Sequence, residues 1–219
     1  RVEGILMSVC HKDRNSNIYK DVTNHGIPIV FFDRKVEGID ASTVRIDDYL
    51  MAFFMVERMI RSGCRKIVHL TGPDHISNGY DRHRGYREAL EKFSIPYDKR
   101  YVIQGGLSAE EGAAAMEKFM SQGLDIDGLF GFTETSTLGA KSSLQKMNYR
   151  IPEDVSLCCI SGTTLCTLVH PTVTAVEQPV VEMATLSCRL LLGQIADPNA
   201  ATESVMLRGN IVERESFRT

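Results

Sequence analysis

Short apolar runs alternate along this chain with longer stretches in which apolar residues recur every three or four positions. The runs VEGILM, IPIVFFD, TVRI, RKIVHLTG, YVIQGG, GLFGF, DVSLCCIS and TVTAVEQ have the length and β-branched content of buried strands. Between them, NSNIYKDVTNHG, the stretch from Asp48 to Ser62, DRHRGYREALEKF, SAEEGAAAMEKFMSQG and a stretch through Leu138, Leu144 and Met147 read as helices. Their ends carry matching signals: Gly26 and Gly63 stop two of them, and Ser108 with Glu111 makes a capping box at the start of another. PVVEMATLSCRLLLGQI is a further helix with Pro179 at its first turn, and ESVMLRGNIVE reads as one last strand.

Strands joined through helices of this length need crossover connections, so the sheet is parallel and covered on both faces. The fold class is therefore α/β and doubly wound. In such sheets ligands sit beyond the carboxyl ends of the strands. Five polar strand ends fall there: Asp33, residues 72–74, residues 105–108, the hydroxyl-rich run 133–137, and residues 161–164. The run 133–137 also has the composition of a helix cap. Both roles are expected, with Thr133 lining a crevice and Glu134 to Ser136 capping the helix.

Composition narrows the function. The 219 residues, 43% hydrophobic and 24% charged, give room for one domain or two small ones with a packed core. A net charge of −3 is not the basic footprint of a domain that grips nucleic acid by itself. The six cysteines show no CxxC pair and no zinc spacing, which favours a reducing cytoplasm over a disulfide framework. No apolar stretch approaches the ~18 residues of a membrane span. Arg1 opens directly onto a strand, as in a fragment of a longer protein.

Catalytic chemistry finds no foothold. There is no GxGxxG, Walker or GxSxG pattern. Cys10 and His11 are strand neighbours, and such neighbours point to opposite faces. His69, His75 and His83 lack a compact ligand spacing, and no carboxylate pair stands out as acid and base. The residues on offer bind rather than react, so no enzyme activity, cofactor or metal is expected.

Several phrases together carry a resemblance: IPIVFFDR, RMIRSGCRKIVHLTGP, DRHRGYREAL, SAEEG, LGA, IPEDVSLCCIS, HPTVTAVEQP and VERES. In order and spacing the chain resembles, over essentially its whole length, the effector-binding core of the lactose-repressor and galactose-repressor family of bacterial transcription regulators. The resemblance implies a periplasmic-binding-protein-like fold of two doubly wound parallel-sheet subdomains with a ligand cleft between them. Residues 1–46 plus 178–206 would form a partial N-terminal subdomain, and 47–177 plus 207–219 the C-terminal subdomain. It also implies a small-molecule effector (a sugar, sugar phosphate or sugar acid), a homodimer, and operator DNA met through a helix-turn-helix head absent from this chain. Effector and DNA binding would then be coupled sites. A periplasmic solute-binding protein shares the fold and is the alternative reading.

The resemblance also places site residues. Asp33 matches a cleft-mouth carboxylate and Arg82, in DRHRGY, an effector-gripping arginine whose forked donors suit paired hydroxyls or a carboxylate. Asn78 and Phe132 join the expected ligand set. Three positions depart from the family pattern: Thr133-Glu134 replaces Asn-Asp, Ser161-Gly162 replaces one or two acidic residues, and Leu107 stands where many members have an aromatic ring. A site less acidic and less aromatic than usual follows, one in which a ligand phosphate or carboxylate is better tolerated near Ser161 with Arg82 opposite. Gln178, in VEQP, either touches ligand or supports the last crossover. Leu138, Leu165 and Leu168 are the expected dimer-interface residues.

Overall fold

The computed structural model describes residues 2–9, 16–73 and 76–218. Cys10, His11, Asp74 and His75 lie outside the described residues. In chain order the elements begin with β1 (Ile5–Met7), α1 (Ser16–Asn24), β2 (Ile29–Phe32), β3 (Ser42–Ile46) and α2 (Asp48–Arg61). They continue with β4 (Ile67–Thr71), α3 (Ser77–Lys92), β5 (Val102–Gln104), α4 (Ala109–Met120), β6 (Gly128–Gly131) and α5 (Glu134–Lys146). The last are β7 (Ser156–Ile160), β8 (Thr174–Glu177), α6 (Val180–Ala196), β9 (Ser204–Leu207) and β10 (Asn210–Val212).

Two compact units share these elements, one holding residues 1–47, 74–78 and 179–209 and the other 48–73, 79–178 and 210–219. The first is built on a four-stranded parallel sheet in the order β1-β2-β3-β9. Helix α6 packs on β1, β2 and β3. Val9, Tyr19, Ile29, Phe31 and Val36 form a small core, with the Tyr19 ring edge-on to Phe31 at 5.5 Å.

The second unit is larger. Its sheet runs β10-β8-β7-β6-β4-β5, parallel except for β10, which is antiparallel to β8. The two-residue period of its strands sorts the side chains. Val68, Leu70, Leu129, Leu157, Cys159 and Ala175 meet Met116 and Phe119 of α4 and Ala140 and Leu144 of α5. Each large apolar side chain buried there contributes about 1.5–3 kcal/mol relative to exposure. On the opposite face His69 stacks on Tyr86 of α3 at 5.0 Å, and Cys158 Sγ reaches Met59 of α2 at 3.4 Å. Helices thus cover both faces, as the alternating pattern predicted.

Helices α4 and α5 approach closely because Gly112 and Gly139 face each other's backbone. A Cβ on Gly112 would meet the Ser136 carbonyl, and one on Gly139 the Ala109 carbonyl. This contact fixes where α5 begins, and with it the hydroxyl run.

Two elements differ from expectation. ESVMLRGNIVE is two strands rather than one. β9 extends the first unit's sheet beside β3 and β10 the second unit's sheet beside β8, so the chain breaks at Arg208-Gly209 to change partners. Helix α3 starts at Ser77, ahead of the apolar pattern that revealed it, because the first turn, SNGY, has no apolar periodicity. Cys64, Cys158, Cys159 and Cys166 are buried free thiols and Cys188 is an exposed one. No helix among the described residues is long and apolar enough to cross a membrane.

Candidate functional site

In the second unit, the residues just past β6 and β7 meet Arg82 of α3, and the residue just past β8 joins them through Ser161. Its side chain is only 1% exposed. Arg82 Nε donates to Asp48 Oδ1 at 2.7 Å, and Nη2 lies at 2.7 Å from the same oxygen. Nη1 donates to the Phe132 carbonyl, and Nη2 also reaches Ser161 Oγ at 3.4 Å. The guanidinium lies over the Phe132 ring, 4.5 Å from its centroid. Phe132 fits beneath it because Gly72 leaves room where a Cβ would strike the ring.

Asp48, the first residue of α2, is fully buried. It was legible in the sequence only as the start of a helix. Its carboxylate compensates the guanidinium charge, and removing one partner of such a buried pair costs about 3–5 kcal/mol. Arg82 is therefore a clamp on Asp48, Phe132 and Ser161 rather than a free cation awaiting a ligand. That weakens the expectation that Arg82 would attract an anion by charge alone.

Ser161 closes β7 in the left-handed region, at φ 64°. The Gly162 N–H donates to the Val176 carbonyl at 2.9 Å and fixes the turn. Gln178, just beyond β8, donates from Nε2 to Ser161 Oγ at 2.8 Å. Gln178 thus supports the site directly, through Ser161. Both residues are half-buried and reach solvent.

The hydroxyl run divides its labour differently from expectation. Thr133 is itself the N-cap of α5, its Oγ1 accepting from the Ser136 N–H. Glu134 does not cap its own helix. Its carboxylate, 4% exposed, accepts from Thr163 N at 2.9 Å, Thr163 Oγ1 at 2.7 Å and Cys166 N at 2.8 Å. It braces the start of the 3-10 turn Thr164–Thr167 instead, holding both its N-cap Thr163 and the Cys166 N–H. Burial pushes the Glu134 carboxyl up, but the bonds from Cys166 and Thr163 outweigh it and hold it below the ordinary carboxylate range. Sequence order alone placed Glu134 on its own helix, and only the fold shows which turn lies opposite.

The other candidates are scattered. Leu107 is 40% exposed after Gly106, which sits at φ 62°, and its N–H is held by Glu111 Oε2 at 3.0 Å. Asp33 and Asn78 belong to the first unit. Asp33 has φ 63° and a carboxylate 3.4 Å from Arg34 Nε. Asn78 is buried, and its Oδ1 has no hydrogen-bond partner among the described residues. Leu138 packs at the edge of the α4–α5 core, whereas Leu165 and Leu168 are 47% and 73% exposed. Among the described residues no group of three His, Cys, Asp or Glu could hold a metal ion.

Two units on mainly parallel sheets with helices packed against them define a domain of the periplasmic-binding type. A model of the periplasmic binding protein-like domain matches residues 56–217, and the chain belongs to that family in the form found in lactose-repressor-type regulators. The HTH-type transcriptional regulator CelR of Thermobifida fusca is 29% identical over 98% of this chain and 63% of its own length. The ribose operon repressor of Halalkalibacterium halodurans is 27% identical over 91% of this chain and 59% of its own. This chain thus spans less than two thirds of either relative. A solved CelR–cellobiose complex superposes with a TM-score of 0.91 at 29% identity, covering 98% of this chain and 66% of that one. CcpA of Lactococcus lactis superposes at 0.89 with 25% identity, covering 99% and 78%. All four are transcription regulators by name.

Proposed function

We propose that this chain is the effector-binding and dimerisation part of a bacterial repressor-type transcription regulator that works in the cytoplasm and senses a sugar or sugar derivative. The carrying observation is the pair Ser161 and Gln178 at the strand ends of the second unit, half-exposed and held from beneath by the buried Arg82, with Thr133, the cap of α5, and the exposed Leu107 as further candidates. It offers donors and hydroxyls in fixed positions, which is what a polyhydroxylated ligand needs. Asp33 and Asn78 of the first unit are further candidate contacts, and Leu165 and Leu168 candidate dimer contacts. Operator DNA would be met through a head outside this chain, since a net charge of −3 does not favour phosphate contacts.

The mechanism is differential binding. An effector held better in one arrangement of the protein shifts the population toward it, and DNA affinity changes by the same coupling free energy. Thermal unfolding with a panel of mono- and disaccharides, including cellobiose and ribose, tests this. A ligand present at about 100 times its Kd adds about 2.7 kcal/mol of stability. A rise in Tm with one sugar, lost in Thr133→Val or Ser161→Ala, is the expected result. No shift with any sugar, alongside a clear shift with nucleosides or amino acids, would overturn the sugar reading.

A further inference from the structure

A separate hollow opens at the far end of the first unit's sheet. Pro28 leads into β2, Ala41 leads into β3, and Thr202 lies two residues before β9, so the hollow sits at the amino ends of three parallel strands. Asp33, by contrast, follows the carboxyl end of β2. All the lining residues belong to the first unit, and the volume is about 320 Å³. One water takes up about 30 Å³ of liquid, and small-ligand sites run from about 300 to 1,000 Å³. The space therefore suits a small organic molecule rather than a single water.

The fold holds the walls in place. Thr202 Oγ1 donates to Asp40 Oδ1 at 2.8 Å, and the Glu203 N–H donates to Ser42 Oγ at 3.0 Å. Ser42 is fully buried, and one end of the Gln194 amide meets its Oγ at 3.0 Å. The other end of that amide is buried and has no partner among the described residues, although Gln194 lines the hollow. An unmet buried polar atom is costly, and a ligand group reaching it recovers that cost.

The lining also selects the ligand's chemistry. Whichever end of the amide is left over, a hydroxyl answers it, because a hydroxyl both donates and accepts. An ammonium can only donate and a carboxylate only accept. Asp40 is exposed, and its second oxygen is left to accept a ligand hydrogen. Asn24 is the last residue of α1, and Pro198 lies two beyond the end of α6, so two helices end at the hollow. The carbonyl ends of helices carry partial negative charge, which disfavours anions. Pro28 and Pro198 add apolar surface without an N–H of their own.

We propose that this hollow is a second binding site, for a neutral polyhydroxylated molecule such as a sugar, with Gln194 and Asp40 as its polar contacts. It does not rest on the sugar reading of the Ser161–Gln178 pair.

The test follows the methyl signals of Ala41, Ala200 and Thr202 by NMR in the chain as it exists. D-glucose, D-ribose and glycerol are the neutral probes, with gluconate and putrescine as charged contrasts. The expected result is a saturable shift of these signals with at least one neutral probe and none with the charged ones. Asp40→Ala should weaken that binding about tenfold, the loss of one hydrogen bond to a charged group. Ala200→Phe should abolish it by filling the hollow while leaving the hydrogen bonds of the wall intact. Both positions are exposed, so these variants stay readable even if Gln194→Leu misfolds. Ser161→Ala should leave the shift unchanged, which separates this site from the proposed effector site. Signals unmoved by every neutral probe would mean that the hollow holds only water, and would overturn the proposal. A shift caused by gluconate or putrescine instead would overturn the ligand class. A shift that survives Asp40→Ala and Ala200→Phe, or that disappears in Ser161→Ala, would show binding elsewhere and overturn the site.

Discussion

Mild acid should destabilise the second unit through a single buried ring. His69 lies on β4, fully buried, stacked on Phe130 at 4.8 Å, Tyr86 at 5.0 Å and His83 at 5.7 Å. Its Nδ1 sits 3.3 Å from the Phe130 carbonyl, and its Nε2 has no partner among the described residues. Burial pushes its pKa from 6.5 down to about 3, against a small opposing pull from the Phe130 carbonyl. The folded state therefore binds this proton less readily than the unfolded state. Its contribution is complete above pH 6.5, falls as pH drops through the interval to about 3, and is flat below that. Integrating gives a loss of about 2 kcal/mol at pH 5 and about 3 kcal/mol at pH 4. Against a typical total of about 5–15 kcal/mol this is a visible fraction. Urea unfolding at pH 7, 6 and 5 measures it, and His69→Phe provides the reference because it keeps an aromatic ring without a titrating proton. His83, also lowered chiefly by burial, acts in the same direction, so the difference between wild type and variant is the quantity to read. If both proteins lose stability in parallel between pH 7 and 5, or if the His69 ring titrates near 6.5 by NMR, the buried-neutral account is wrong.

Asp48→Asn keeps the shape of the clamp but strands the Arg82 charge, so denaturant unfolding should show a loss of about 3–5 kcal/mol. A loss under about 1 kcal/mol would mean that water already compensates the guanidinium, and an anionic ligand could then be drawn by charge. Leu168→Glu, on a side chain 73% exposed, should leave the unfolding midpoint within about 0.5 kcal/mol of wild type while weakening self-association in sedimentation. Unchanged association would remove residues 163–170 from the dimer surface.

The fold was legible because its signals are local and repeated. Strand runs with β-branched residues, Gly63 after α2, and the Ser108–Glu111 box at α4 each report on a few neighbouring residues, and the structure contains all of them. What could not be read was pairing over distance. ESVMLRGNIVE has one continuous strand-like pattern, yet its halves join different sheets; the pattern itself does not say where the partner changes, and only the family resemblance put a subdomain boundary, at 206/207, inside it. Glu134 shows the same limit. In sequence it stands at a helix start, where an acidic residue is ordinary, and in space it braces a turn thirty residues away.

The site adds a sharper case, because a residue's identity and its chemical availability are separate facts. Sequence resemblance brought Arg82 and Ser161 forward as a cation and a hydroxyl, and the natural inference was attraction for an anion. In the structure the cation is spent on Asp48, a residue with no motif of its own, 34 positions away. The hydroxyl in turn has its acceptor capacity taken by Arg82 and Gln178. Ser161 is one of the departures from the family pattern, whereas Arg82 follows it. Identity alone therefore did not say what either side chain had left to offer a ligand.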